Sequence, residues 1–186
     1  TLFPYTTLFR SEKNWSKEIV DRALDEDTSR ILDLCGDPSR EESWDRRGMV
    51  MGYVQSGKTA NYIGLINKAA DMGYKVFIVI TGILEELRRQ TQERVDEGFI
   101  GRDSGDFEKT ENIGVGIYSD DMYRPSTLTS TRSDFVGKSN QANFFVDGMK
   151  APVVFVVKKN TSTLKKLANW LKVNGKASGQ NEIHVP

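Results

Sequence analysis

The sequence contains almost none of the side chains that build thiol and metal sites. Its 186 residues include one cysteine, Cys35, and one histidine, His184. A single cysteine excludes an internal disulfide, and these two residues together are too few to form a zinc site. A serine- or cysteine-based catalytic centre would depend on His184, which lies in a short apolar run and is not expected to be catalytic.

Charge imbalance and long apolar runs are also missing. The 26 basic residues equal the 26 acidic residues in number, so the formal net charge is zero. This balance gives no overall attraction to nucleic acid or to a membrane surface, and a nucleic-acid contact would need a local basic patch. No apolar run approaches the ~20 residues of a membrane span. The 38% hydrophobic and 28% charged content predict a cytoplasmic globular protein of about one domain, with no membrane association.

The feature that the sequence does contain is a phosphate-binding loop pattern, the Walker A motif. It fits glycine, four variable residues and then Gly-Lys-Thr at every fixed position. Such a loop curls so that its backbone N–H groups face phosphate oxygens, and the helix that follows adds its positively polarised N-terminus. We predict that ATP is bound by this loop and the residue after it: Gly52, Tyr53, Val54, Gln55, Ser56, Gly57, Lys58, Thr59 and Ala60.

Two side chains of the loop have distinct predicted roles. The Lys58 ammonium would contact the β- and γ-phosphates as the catalytic lysine, and the Thr59 hydroxyl would ligate Mg²⁺. Because the pattern is short enough to occur by chance in a glycine-rich turn, its flanks matter. Residues 48–51 are an apolar run that predicts a strand entering the loop, and residues 59–71 have the spacing of a helix that Gly73 would end. This setting favours a nucleotide-binding loop.

The residues ahead of the loop begin with a segment that does not resemble folded protein. Residues 1–11 show no helical or strand period and resemble translated sequencing-adapter read-through, so they are left out of the fold prediction. Residues 12–35 have helical spacing. A second helix is expected over residues 29–34, with the Asp27-Thr28 pair as its cap and Gly36 as its end.

A polar linker is predicted over residues 37–47, just before the loop region. Trp44 in this linker could stack on an adenine, although a tryptophan at a domain edge more often packs. The expected organisation is a foreign tail (1–11), a helical segment and linker (12–46), and a nucleotide-binding domain (47–186).

The chain after the loop alternates strands and helices. Residues 75–80 form a continuous apolar run, which predicts a strand buried on both faces of a parallel sheet. One face of the next helix is marked by Leu84, Leu87, Thr91 and Val95. Further predicted elements are a loop at 98–112, a strand at 113–118, a strand at 152–157, a helix capped at Thr161 or Ser162, and the start of a strand at 182–186. This order predicts an α/β doubly wound fold with ligands at the carboxyl ends of the strands.

An acidic residue that would complete the Mg²⁺ site is harder to find. Hydrolysing ATPases of this type place an aspartate at the end of an apolar strand. Asp120 and Asp147 are the available candidates, but neither belongs to an Asp-Glu pair and each fits a solvated turn. The preferred expectation is that the acidic motif lies beyond Pro186, so that this chain is a fragment that binds nucleotide weakly and does not hydrolyse it.

The loop and its surroundings closely resemble the Z-one domain proteins, an endonuclease-type family of bacterial defence systems. The resemblance covers roughly residues 25–186 and has two fairly specific parts, the Val54–Asn61 core and the Val156–Asn160 strand end. The segments that carry it are 47–62, 64–66, 68–71, 87–88, 90–94, 97–99 and 156–160.

This resemblance implies an incomplete RecA-like P-loop NTPase core of the helicase-like, superfamily-two type, with ATP and Mg²⁺ as cofactors. It also implies a nuclease region in the longer protein, with DNA and defence-system proteins as partners. Thr81, Gly82, Arg88 and Gln90 would lie on the nucleic-acid side, although Arg88 also fits a solvated, ion-paired helix face. The family's acidic motif, second lobe and nuclease residues have no counterpart here, so no enzymatic activity is assigned to this chain alone.

Three other functions fit a phosphate-binding loop. A small-molecule or nucleotide kinase usually carries an arginine-rich lid, which is not visible here. A GTPase would need an Asn-Lys-x-Asp motif, which the sequence lacks. A non-catalytic interaction module with a vestigial loop is disfavoured by the intact Lys58-Thr59 pair. An ATP-driven, DNA-acting motor is therefore the favoured hypothesis.

Overall fold

The computed structural model describes residues 5–13, 25–40, 45–52, 58–106, 111–118, 124–137 and 150–174. Its helices are α1 (Tyr5–Lys13), α2 (Asp27–Asp33), α3 (Lys58–Asp71), α4 (Glu85–Val95) and α5 (Thr161–Asn174), and its strands are β1 (Val76–Thr81), β2 (Ser126–Thr127) and β3 (Val153–Lys158). The chain divides into two compact units, Thr1–Tyr74 and Lys75–Pro186. The predicted domain bounds after residues 11 and 46 stay predictions.

The first unit is built on α3, on which α1 and α2 both pack. The apolar stripe of α3 is buried at Ile63, Ile66, Ala69 and Ala70, as its helical period predicts. Asp71 at the end of α3 accepts hydrogen bonds from the first N–H groups of α1. A carboxylate at that position satisfies donors that a helix leaves unpaired at its N-terminus.

The structure differs from the prediction in the helices that precede α3. Residues 5–13 form α1 although their sequence shows no helical period, and Tyr5 and Phe9 are buried. Whether residues 1–11 are foreign to the protein stays a prediction. Helix α2 begins two residues earlier than expected, at Asp27, and has no side-chain cap.

The end of α3 confirms the predicted glycine cap. Gly73 has φ of 101°, in the left-handed region that a residue without a Cβ adopts at little cost. The Gly73 N–H donates to the Ala70 carbonyl, and the Tyr74 N–H donates to the Ala69 carbonyl, both at 3.0 Å. This pair of bonds is a Schellman motif, which satisfies the last carbonyls of the helix.

The second unit contains a three-stranded parallel sheet in the order β1-β3-β2. The central strand β3 is buried along Val153–Val157. Its register with β1 pairs Val76 with Val153 and Ile78 with Phe155. A parallel sheet flanked by helices is an α/β architecture, which confirms the predicted fold class at that level.

The two long helices of this unit lie on opposite faces of the sheet. On one face, Phe155 packs with Phe135 and with Leu167, Trp170 and Leu171 of α5. The rings of Phe155 and Trp170 are 5.4 Å apart and meet edge to face. On the other face, Phe77 of β1 meets Phe99 in the π-helical turn Asp96–Ile100 that continues α4.

Three predictions about strands are wrong, two of them on either side of the loop and α3. Strand β1 exists, but it is not buried on both faces, because Ile78 and Ile80 are 40% and 54% exposed. Residues 48–51 form no strand and are exposed. No neighbouring strand pairs with them within the part of the chain that the structure describes, and an unpaired strand leaves its backbone groups without partners.

The predicted strand at 113–118 is instead a short 3₁₀ helix, Gly114–Tyr118. Its glycines explain the difference. Gly114 has φ of 50°, and a Cβ there would lie 2.0 Å from the Glu97 carbonyl oxygen. The left-handed conformation and the close backbone approach are both incompatible with an extended strand of larger residues.

The buried face of α4 also differs from the predicted one. Arg88, Gln92 and Val95 are its buried residues, whereas Leu84, just ahead of α4, and Leu87 are 60% and 46% exposed. The helix therefore turns a polar stripe inward. Gln92 has hydrogen-bond partners at both side-chain atoms, and Arg88 has them at Nε and Nη2, which offsets most of the cost of burying this stripe.

Candidate nucleotide-binding site

The predicted loop is described at its two ends, and Tyr53–Gly57 lie outside the described residues. Helix α3 begins at Lys58, so Lys58, Thr59 and Ala60 form its first turn, as predicted. The Lys58 ammonium donates a hydrogen bond to the carbonyl oxygen of Gly52 at 3.1 Å. This bond joins the first fixed residue of the motif to its lysine.

Both partners of this hydrogen bond are exposed and lie six positions apart in the sequence. The motif requires the lysine ammonium to contact phosphate, and an exposed side chain can reach a ligand.

The later turns of α3 are fastened by two polar side chains. Lys68 forms an ion pair with Asp25 at 3.1 Å and donates to the Ser29 hydroxyl at 2.8 Å, which fastens the helix to the α2 region. The buried Asn67 donates to the Ile63 carbonyl at 2.9 Å. The first turn of α3 carries no acidic side chain, so its positive end is not neutralised locally.

The predicted Mg²⁺ site is described at Thr59 alone. Asp120 and Asp147, the candidate acids, lie outside the described residues, as do Trp44 and His184. Within the described ranges no group of three or more His, Cys, Asp or Glu side chains could hold a metal ion. Mg²⁺ bound with a nucleotide usually takes only one or two protein ligands beside phosphate oxygens and waters. A hydroxyl in the first turn of α3 fits that donor set.

The structure contradicts an exposed Arg88, as the predicted nucleic-acid contact and the solvated alternative both require, but it confirms the ion pair on the helix that the alternative included. The Arg88 side chain is fully buried. Its Nε donates to a carboxylate oxygen of Glu85 at 2.7 Å, and its Nη2 donates to the Thr131 carbonyl at 3.2 Å. Gln90 is exposed and donates to Glu86 at 3.0 Å. Arg88 therefore joins α4 to the loop after β2 and is not available to a ligand.

A cluster of charges at the carboxyl edge of the sheet was not predicted. Glu85 accepts from Arg88 and also pairs with Lys158 of β3 at 2.6 Å. Burial alone would raise the pKa of Glu85, but hydrogen bonds from Lys158 and Arg88 outweigh it and lower that pKa. The sequence did contain a signal for this cluster: Lys158 ends β3 and Glu85 follows β1, so both lie at the carboxyl edge of a parallel sheet.

The class that the described residues define is an α/β protein with a small parallel sheet flanked by helices. Its sequence carries the phosphate-binding loop pattern just ahead of, and into, helix α3. No protein-family model matches the chain, and no curated protein or solved structure matches it either. Among the helices that the structure describes, none has the length and apolar character needed to cross a membrane.

Proposed function

We propose that this chain binds ATP with Mg²⁺ through residues 52–60 and is the nucleotide-binding part of a helicase-like, DNA-acting ATPase of RecA-like fold. The observation that carries the proposal is the 3.1 Å hydrogen bond from the Lys58 ammonium to the Gly52 carbonyl. An incoming phosphate would give the Lys58 ammonium a charged partner in place of this neutral carbonyl oxygen, which is a stronger hydrogen bond.

The position of the loop on α3 supports the same proposal. Thr59 and Ala60 lie in the first turn of a 14-residue helix. The N-terminal end of a helix stabilises anions through its backbone N–H groups and through the helix dipole. Lys58 adds a full positive charge beside it. Together these groups suit a triphosphate better than an uncharged ligand.

The sheet of the second unit supports the finer fold proposal. Its strands are parallel, and α4 and α5 lie on opposite faces, as in doubly wound nucleotide-binding folds. Ligands in such folds bind beyond the carboxyl ends of the strands. DNA as the partner rests on the family resemblance of residues 47–62 and 156–160.

A non-catalytic nucleotide-binding module is the second candidate, and one observation favours it. Met49, Val50 and Met51 are 81%, 62% and 82% exposed, so the run that enters the loop is not fixed in a sheet. Catalysis needs a preorganised loop, because misplacement of the phosphates by about 1 Å can cost ~100-fold in rate. Binding alone tolerates more movement.

The test is nucleotide binding by the full chain with and without Mg²⁺, measured by calorimetry. Lys58→Ala should weaken ATP binding at least tenfold, because it removes the charge that faces the phosphates. Lys165→Ala, at an exposed lysine on α5, is the matched control and should bind as the wild type does. Wild-type affinity in Lys58→Ala would overturn the proposal.

ATP turnover then separates the two candidates. Release of phosphate that rises when DNA is added favours the DNA-acting motor. Tight binding without turnover, in the presence and absence of DNA, favours the binding module. Turnover stimulated by a small phosphate acceptor would instead favour a kinase.

A further inference from the structure

A chain of buried polar side chains crosses the interior of the second unit. Gln92 of α4, Asp96 of the π-helical turn and Thr129 after β2 are 0%, 1% and 2% exposed. The Val156 N–H donates to the Thr129 hydroxyl at 2.9 Å, and that hydroxyl donates to Gln92 Oε1 at 2.8 Å. Gln92 Nε2 then donates to Asp96 Oδ1 at 2.9 Å. The chain thus runs from the backbone of β3 to a buried carboxylate.

The second oxygen of the carboxylate holds a loop. Asp96 Oδ2 accepts from the Ser104 N–H at 2.9 Å and from the Ser104 hydroxyl at 2.6 Å. The Ser104 hydroxyl oxygen in turn accepts from the Thr131 N–H at 3.1 Å. Asp96 therefore connects α4, the loop that follows it and the segment after β2.

Each link between Asp96 and Thr127 can run in either direction. An amide side chain has an acceptor and a donor at nearly the same distance, so half a turn of Gln92 would present its oxygen to Asp96 and its NH₂ to Thr129. The Thr129 hydroxyl also lies 3.1 Å from the Thr127 hydroxyl, where either atom can be the donor. With a proton on Asp96 Oδ1, these three links reverse and every buried group keeps a partner.

We propose that this chain is a proton-operated switch, in which Asp96 takes up one proton from solvent at Oδ1 and the Gln92 amide rotates to reverse the hydrogen bonds as far as Thr127. The only covalent bond that forms on the protein is the O–H bond at Asp96, and the only heavy atoms that move are Oε1 and Nε2 of Gln92, which exchange positions. A buried carboxylate without such an alternative would leave a donor facing a donor when protonated, which is unfavourable away from water.

The charges around Asp96 favour proton uptake. Burial raises the pKa of Asp96 from its ordinary value of 3.8 to about 6, against the lowering effect of hydrogen bonds from Ser104 and Gln92. Repulsion from Asp103 on the next loop adds to the rise. Two cations of the surrounding elements, Arg88 and Lys158, both pair with Glu85, and Arg132 on the segment after β2 is exposed.

The pKa shift fixes the sign of the effect on stability. The folded protein binds this proton about 100-fold more tightly than the unfolded chain does. The resulting stabilisation is complete below the ordinary pKa of aspartate and is lost as the pH rises through about 6. The switch includes Thr129, in the segment that follows β2 at the carboxyl edge of the sheet. Protonation would therefore change the direction of the hydrogen bonds at that edge.

The direct test is a titration of the full chain followed by nuclear magnetic resonance. The ¹³C shift of the Asp96 carboxyl and the ¹⁵N shift of the Gln92 side-chain amide should change together, with one midpoint near 6. An Asp96 midpoint near the ordinary value of about 3.9 would overturn the proposal. If the Asp96 carboxyl titrates at about 6 but the ¹⁵N shift of the Gln92 amide does not change, the proposed reversal of the hydrogen bonds is overturned.

Unfolding by guanidinium between pH 5 and pH 7.5 gives an independent readout. The Asp96→Asn variant cannot take up the proton, so the gain in stability that the wild type shows on acidification should be lost. Glu97→Gln changes an exposed carboxylate in the same turn and should retain the wild-type gain. An unchanged gain in Asp96→Asn would refute the switch. If Asp96→Asn does not fold, the titration of the wild type decides alone.

Discussion

Strands β1 and β3 have nearly the same kind of sequence and very different surroundings. The sequence of β1 is VFIVIT and that of β3 is VVFVVK. Residues 153–157 of β3 are all fully buried, whereas Ile78 and Ile80 of β1 are 40% and 54% exposed. Apolar, β-branched residues explain why both segments form strands. They do not explain the difference in burial.

The difference comes from what lies on each side of the two strands. β3 is hydrogen-bonded to a strand on both edges, and helices cover both of its faces. β1 pairs with β3 alone among the strands that the structure describes, and its packed face is the one where Phe77 meets Phe99. Burial is therefore a property of a strand's neighbours, and one strand's composition cannot report it.

The largest expected effect on stability comes from removing a buried side chain from β3. Phe155→Ala removes a fully buried ring that meets Phe135 and Trp170, and it should cost about 3–5 kcal/mol of unfolding free energy. Ile78→Ala, at the residue paired with Phe155 in the register, should cost about 1 kcal/mol, because its side chain is already 40% exposed. Guanidinium unfolding followed by circular dichroism measures both.

Equal losses in Phe155→Ala and Ile78→Ala would contradict the comparison. They would mean that the exposed face of β1 is covered in solution. Neither variant alters the loop at residues 52–60, so nucleotide binding by the folded fraction should stay at the wild-type level in both.

The elements that could be predicted from the sequence are those whose own residues determine them. The apolar period of α3 and the glycine after it predict a helix and its end correctly, because both signals are local. The runs of β1, β3 and α5 are found for the same reason. Residues 48–51 and 113–118 also look like strands, but strand formation needs a partner or a permissive backbone, and neither can be seen in a short apolar run.

The functional predictions likewise include one feature that the sequence reveals and one that it hides. The phosphate-binding loop is visible because its chemistry depends on residue types at fixed spacing. The buried stripe of α4 is invisible, because Arg88 and Gln92 have the composition of a solvated face. Their burial is offset by partners that lie far away in the sequence or on the helix itself: Glu85 and the Thr131 carbonyl for Arg88, and the side chains of Thr129 and Asp96 for Gln92.

A second pair of residues that lie opposite each other in β1 and β3 tests the same difference in burial. Introducing a hydroxyl there should have a smaller effect on stability than the loss of Phe155. Val157→Thr puts a hydroxyl of the same size at a fully buried position and should cost about 1–3 kcal/mol if the hydroxyl finds no partner. Ile80→Thr, at the paired residue in β1, should change stability by about 0.5 kcal/mol or less, because water solvates the new group. Thermal unfolding compares the two, and a larger loss in Ile80→Thr would reverse the ranking.

The smallest expected effect lies at the carboxyl end of β3, where the strand meets solvent. Lys158→Gln breaks the ion pair with Glu85, but the two side chains are 27% and 50% exposed, so the loss should be about 0.5 kcal/mol or less. Because the pairing lowers the pKa of Glu85, this contribution is present above the ordinary pKa of glutamate and is lost as the pH falls.

The loss in Lys158→Gln should therefore shrink in acid and in 1 M salt, whereas the loss in Phe155→Ala should not, because cavity formation does not depend on charge. Lys159→Gln removes an exposed lysine one residue further on and is the matched control for net charge. If Lys158→Gln costs as much as Val157→Thr and resists salt, the end of β3 is as closely packed as its centre. The burial contrast would then extend over the whole strand.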